Sequence, residues 1–135
     1  MSIDDKEGVR RAIQRECDAV LDAFMAGLNA HDAEAMDRCM HFPHVRFAGG
    51  STTVYPGAGH NPMDLFTRLK NDDNWSHSRW EKREVVQFNA LKAHVVLSYT
   101  RYRADGSEIG VYDSLYIMTR AEGRWGIQAR SSFGP

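Results

Sequence analysis

Cysteine is nearly absent from this chain. Of 135 residues only Cys17 and Cys39 carry a thiol, and both fall where the apolar spacing predicts a helix. No disulfide is expected, and the two thiols read as small buried apolar groups in a reducing setting. Long hydrophobic runs are missing as well. None approaches the roughly 20 residues of a membrane span, and the opening MSIDDKEGVRR is too polar for a signal peptide, so a cytoplasmic protein without a membrane partner is expected. Nor does one sign of charge dominate: acids and bases are interspersed and the formal net charge is -1, which leaves no electrostatic footprint for nucleic acid. Linkers, repeats and low-complexity tracts are lacking too. With 42% hydrophobic content, residues 1–135 read as one domain with one core.

What is present divides by period. Ser2 to Asp5 reads as a capping box, after which Val9, Ile13, Cys17, Val20, Leu21, Phe24, Met25 and Leu28 recur at helical spacing. This predicts one long amphipathic helix ending near Asn29-Ala30-His31. Asp32 can cap a second, shorter helix carrying Met36, Cys39 and Met40 inward, and Pro43 is expected to end it. A small hairpin follows, His44 to Ala48 and Thr52 to Tyr55 about Gly49-Gly50. Asn61-Pro62 combines a cap residue with proline at the first helical position, predicting a third helix to about Lys70. From Arg79 the pattern changes to strands: Arg79 to Phe88, His94 to Arg103, Glu108 to Arg120 and Trp125 to Phe133. Helices followed by an antiparallel meander make an α+β domain whose helices cover one sheet face. Both strand faces are partly apolar, so a second copy of the chain is expected on the other, giving a homodimer through the sheet.

The closing hairpin, GVYDSLYIMTRAEGRWGIQARSSF, holds the most conspicuous polar residue. Asp113 shares strand parity with Val111, Leu115 and Ile117, so a carboxylate is expected in an apolar row, where it must find partners or take up a proton. Two readings stay open: Asp113 hydrogen-bonded to a strand neighbour such as Ser131 and serving the fold, or Asp113 facing a ligand. On the last strand, Ile127, Ala129, Ser131 and Phe133 share the parity of Trp125. Arg130 is thereby assigned to the outer surface unless a bulge reverses it.

Four pieces in this order, FMAGLNAHDAEAM, HFPHVRFAGG, NPMDLF and DSLYIMTRAEGRWGIQARSSF, resemble the nuclear transport factor 2-like superfamily, in its SnoaL-like and ketosteroid-isomerase-related branch. The resemblance implies a cone-shaped curled antiparallel sheet wrapped around three N-terminal helices, a deep pocket at the open end, and homodimers. Matched to the isomerase pattern, Phe24 stands where that family has its oxyanion-hole tyrosine, Ala48 where it has its general-base aspartate, and Asp113 where it has a protonated aspartate. Steroid isomerisation by that mechanism is therefore not expected.

The remaining candidates are modest. His44, at the start of a strand, is the candidate base beside Asp113 as acid or hydrogen-bond donor. Phe24, Tyr55, Phe66, Trp75, Trp80, Tyr102 and Ser131 are the expected ligand-binding residues. His41 and His44 bracket Phe42-Pro43 rather than one helical turn, so no metal is expected. The PGAGHNP loop lacks a phosphate-binding lysine, so no cofactor is expected. The functional expectation is a pocket for a small, mainly apolar metabolite, with cofactor-independent acid–base chemistry of isomerase, dehydratase or cyclase type. The alternative is a non-catalytic homodimeric module that binds a ligand or a protein.

Overall fold

The structure, a computed structural model, describes residues 3–60 and 65–134. Helix α1 runs Ile3–Asn29 and α2 Ala33–Asp37; strands β1 (Met40–Ala48) and β2 (Ser51–Tyr55) follow, then α3 (Leu65–Asp73). Strands β3 (His77–Phe88), β4 (Lys92–Tyr102), β5 (Glu108–Ala121) and β6 (Arg124–Ser132) complete the chain. Ser2 and Asn61-Pro62, the expected helix starts, lie outside the described residues.

All six strands form one curled, unclosed sheet in the order β2-β1-β6-β5-β4-β3. The sheet is antiparallel except between its second and third strands, where β1 and β6 run parallel. This joins the early hairpin to the later meander, and it also corrects the reach of the second helix. Helix α2 is capped by Asp32, whose side chain accepts from the Ala35 N–H at 3.0 Å, but it ends at Asp37 rather than at Pro43. The backbone beyond it is captured by β6: the Ile127 N–H donates to the Cys39 carbonyl at 2.8 Å and Met40 pairs with Ile127. Pro43 sits where the β1 register shifts, a place in a sheet that tolerates a residue without an N–H.

Helix α1 lies against the inner sheet face because Ile13, Cys17, Leu21 and Phe24 recur every three or four residues and are all buried. They pack with Val85, Val95, Leu97, Met118 and Ile127 from the strands. Polar clamps fix the helix in register with β3. The Gln14 side chain accepts from the Val85 N–H at 2.8 Å, and Trp80 Nε1 donates to the Leu21 carbonyl at 3.0 Å. At the helix end Asn29 accepts from the Ser78 N–H at 2.9 Å and donates to the Ser78 carbonyl at 2.8 Å. No helix among the described residues is long and apolar enough to cross a membrane.

Candidate functional site

Between the helices and the inner face of β1, β6, β5 and β4 lies a cavity of about 400 Å³. Its helix side is apolar, with Phe24, Leu28 and Met36 beside Leu65 and Leu69 of α3. Its sheet side is cationic and phenolic: Arg46, Arg101 and Arg130 line it together with Tyr55, Tyr99 and Tyr116, and Arg68 joins from α3. Among the described residues that line it there is no Asp or Glu.

The inner face of β6 changes parity along the strand. Met118 pairs with Ile127 but Ile117 pairs with Ala129, so Gln128 is an extra residue. This bulge turns Arg130 and Ser132 inward and Ser131 outward. The expectation that Arg130 faces outward, and that Ser131 lines the pocket, is therefore corrected by one residue of bulge. Gln128 occupies its place by donating from Nε2 to the Pro43 carbonyl at 2.6 Å.

Arg130 is held from two sides. Its Nε–H donates to Nε2 of His44 at 2.9 Å, and its guanidinium lies 5.3 Å over the Phe24 ring. His44 is completely buried, stacks on Tyr55 at 5.7 Å between centroids, and bonds the Ile127 carbonyl through Nδ1 at 2.9 Å. Because Nε2 accepts from Arg130, the ring proton must be on Nδ1, and His44 is neutral. Burial, reinforced by the Arg130 charge, pulls its pKa from 6.5 down to about 4. His44 thus lies behind Arg130 as its support and is not poised as a base.

Arg46 is the register partner of Arg130 across the parallel pair. Burial lowers its pKa, and the neighbouring Arg130 charge adds to the effect. Tyr116 faces both, its phenol pushed up to about 12 by burial against the pull of Arg130, so it stays neutral. On the opposite wall the Arg101 guanidinium lies 4.9 Å over the Tyr112 ring and 5.7 Å from that of Tyr99. Tyr99 also shares a hydrogen bond of 2.8 Å with Ser132.

Of the residues singled out in the sequence, the structure brings Phe24, Tyr55 and Trp80 to the cavity. The others lie elsewhere. Asp113 is exposed, opposite Ser98 on the outer sheet face, because the row it shares with Val111 (56% exposed) and Leu115 (40%) points away from the helices. The inward row of β5 is Ser114, Tyr116 and Met118. Phe66 stacks on His31 at 4.9 Å, and its neighbours Leu65 and Leu69 are the ones that reach the cavity. Trp75 is buried against His31 and donates from Nε1 to Ser78 Oγ at 2.9 Å. Tyr102 stacks on His77 at 5.1 Å, beyond the lining. Arg130 was recognised in the sequence but assigned to the wrong face, for want of the bulge at Gln128, whereas Arg46 escaped the sequence reading. A signal for Arg46 was available in His44-Val45-Arg46-Phe47, since two-residue alternation puts Arg46 on the side of His44, and Phe47 is 46% exposed.

A family model described as NTF2-like protein (DUF6841) matches residues 11–132. The chain belongs to this NTF2-like family. No curated protein matches the sequence. Among solved structures, this NTF2-like chain is similar to an NTF2-like protein with a cystatin-like fold from Novosphingobium aromaticivorans, at 15% identity and a TM-score of 0.73 over 95% of this chain and 86% of that one. A cystatin-like-fold protein from Nostoc punctiforme gives 11% identity and a TM-score of 0.71, covering 87% of each chain. A ketosteroid isomerase-like protein from Erwinia carotovora atroseptica gives 19% identity and a TM-score of 0.61, over 89% of this chain and 94% of that one. At these identities the likeness establishes the fold.

Proposed function

We propose that this NTF2-like protein binds a small organic anion in its cavity, with the apolar part of the ligand against the helices and the charged group against β1 and β6. The observation that carries this reading is the pairing of Arg46 with Arg130 in register, both facing the cavity. Like charges directly opposite on neighbouring strands are destabilising, and cations removed from water need counter-charge. The described lining contains no carboxylate to supply it. An anionic ligand would, which makes the arrangement a preformed site rather than a structural ion pair. The ligand is thereby amphipathic, not simply apolar. Since His44 is neutral, doubly hydrogen-bonded and withdrawn behind Arg130, the reading is binding rather than isomerase-type proton transfer.

Titration calorimetry at about pH 7.5 with benzoate and its neutral counterpart benzamide tests this. Benzoate is expected to bind roughly tenfold tighter or better, about 1.4 kcal/mol, with the difference shrinking in Arg46→Gln. Equal affinity for the two probes would refute the reading.

A second feature favours self-association. Val96 and Leu115 are register partners on the outer face, with Val111 beyond Asp113 in the same row, and all three apolar residues are exposed. These exposed apolar side chains support a homodimer through the sheet. Native mass spectrometry checks it, and a strictly monomeric protein at micromolar concentration would refute it.

A further inference from the structure

The charge on the preferred ligand can be read from the groups that surround Arg46 and Arg130. Neither cation meets a negative group in the described lining. Arg130 spends its Nε–H on a neutral histidine and its guanidinium also meets the neutral Tyr116 phenol, so neither partner compensates its charge. Arg46, its register partner, makes no hydrogen bond or ion pair among the described residues. A single carboxylate would neutralise one of these cations and leave the other without compensation, whereas a doubly charged group would satisfy both.

A hydroxyl chain adds a directed donor. Ser132 Oγ accepts from Ser114 Oγ at 2.8 Å and from the Gly134 N–H at 3.0 Å. With both of its acceptor positions taken, Ser132 must donate its own hydrogen to the Tyr99 oxygen 2.8 Å away. Tyr99 then accepts from Ser132, and its phenolic hydrogen is directed elsewhere. Tyr99 lines the cavity with Arg46, Arg130 and Ser132, so that hydrogen is available to an oxygen bound there. Two guanidinium groups and a phenol O–H, all donors, suit a group carrying several acceptor oxygens and two negative charges.

We infer that the ligand of this cavity carries a dianionic phosphoryl group, held by Arg46, Arg130 and the Tyr99 phenol; this rests on the anion-binding reading above. The organic remainder of the ligand lies against Phe24, Leu28 and Met36.

The test uses three phenyl probes of similar size and three charges: phenyl phosphate, benzenesulfonate and the neutral phenyl methyl sulfone. At about pH 7.5 phenyl phosphate is expected to bind at least about tenfold tighter than benzenesulfonate. Its affinity should fall as pH drops through its second ionisation near about 6, while that of benzenesulfonate stays flat. His44, with its pKa at about 4, remains neutral across this range. Arg46→Gln should bring the phosphate-to-sulfonate ratio close to one; the pH profile of the unaltered protein gives the same discrimination if that variant fails to fold. Equal binding of phenyl phosphate and benzenesulfonate, both tighter than the sulfone, would overturn the dianion inference and leave anion binding standing. If neither anion bound tighter than the sulfone, the anion-binding reading itself would fail.

Discussion

Arg130 donates its Nε hydrogen to Nε2 of His44 at 2.9 Å, and that bond holds the imidazole in its neutral form with the proton on the other nitrogen. Burial first, and the Arg130 charge second, lower the His44 pKa from 6.5 to about 4. Below pH 6.5 the unfolded chain binds a proton at this residue that the folded chain refuses, so acid favours unfolding. The contribution of His44 is complete above about pH 6.5, declines by about 2 kcal/mol at pH 5, and is lost towards pH 4. Urea denaturation between pH 5 and 7 measures it, with His44→Gln as the comparison whose profile should be flatter. Identical slopes for the two proteins would contradict the assignment.

Asn29 closes the C-terminal end of α1 onto β3 through two hydrogen bonds to the backbone of Ser78, itself 3% exposed. Asn29→Ala leaves a buried N–H and a buried carbonyl without those partners, and is expected to cost about 2–3 kcal/mol. Asn29→Asp keeps the acceptor and loses the donor, so its effect should be smaller at neutral pH. The order of the two urea midpoints is the check. A reversal would show that the Ser78 carbonyl, not its N–H, dominates the clamp.

Asp113 stands on the outer face, and its side chain is exposed. Its backbone carbonyl accepts from the Phe133 N–H at 3.0 Å, a bond that a side-chain substitution preserves. Asp113→Asn is therefore expected to change stability by no more than about 0.5 kcal/mol and to leave benzoate binding unchanged. A loss of binding on calorimetry would return Asp113 to the site.

The exchange of roles between Asp113 and Arg130 shows where the sequence was informative. Turns carried their own chemistry: Gly49-Gly50, Asp105-Gly106 and Glu122-Gly123 all lie at chain reversals, and Asp32 caps α2. Helix α1 was legible because its apolar period extends over many turns. The strands were legible as strands, but not as to which face is inner. On β5 Val111, Leu115 and Ile117 are as apolar as Tyr112, Tyr116 and Met118, so alternation alone could not decide, and the inner row was set by packing against α1. On β6 one bulged residue, Gln128, inverted the faces beyond it. The parallel pairing of β1 with β6, which brings Arg46 beside Arg130, joins segments distant in sequence and leaves no local mark. The family resemblance supplied the fold but pointed to Asp113, whose surroundings in this chain are those of the outer surface.

The β5–β6 hairpin carries a strain that substitution can relieve. Ala121 pairs with Arg124, and between them Glu122 and Gly123 adopt φ of 56° and 76°, the positive pair that a type I′ turn requires. Gly123 takes this conformation without a side-chain penalty. Glu122, an L-residue with no local hydrogen-bonding advantage there, bears a cost of about 1 kcal/mol. Asparagine tolerates the left-handed region far better, so Glu122→Asn is expected to raise stability by about 0.5–1 kcal/mol, and Gly123→Ala to lower it by about 1 kcal/mol. Both positions are exposed and neither lines the cavity, so anion affinity should not move in either variant. Thermal denaturation read beside benzoate calorimetry separates the two effects: a stability gain with unaltered affinity is the expected result, and a destabilised Glu122→Asn would mean that the turn is held by contacts of the glutamate rather than by its backbone.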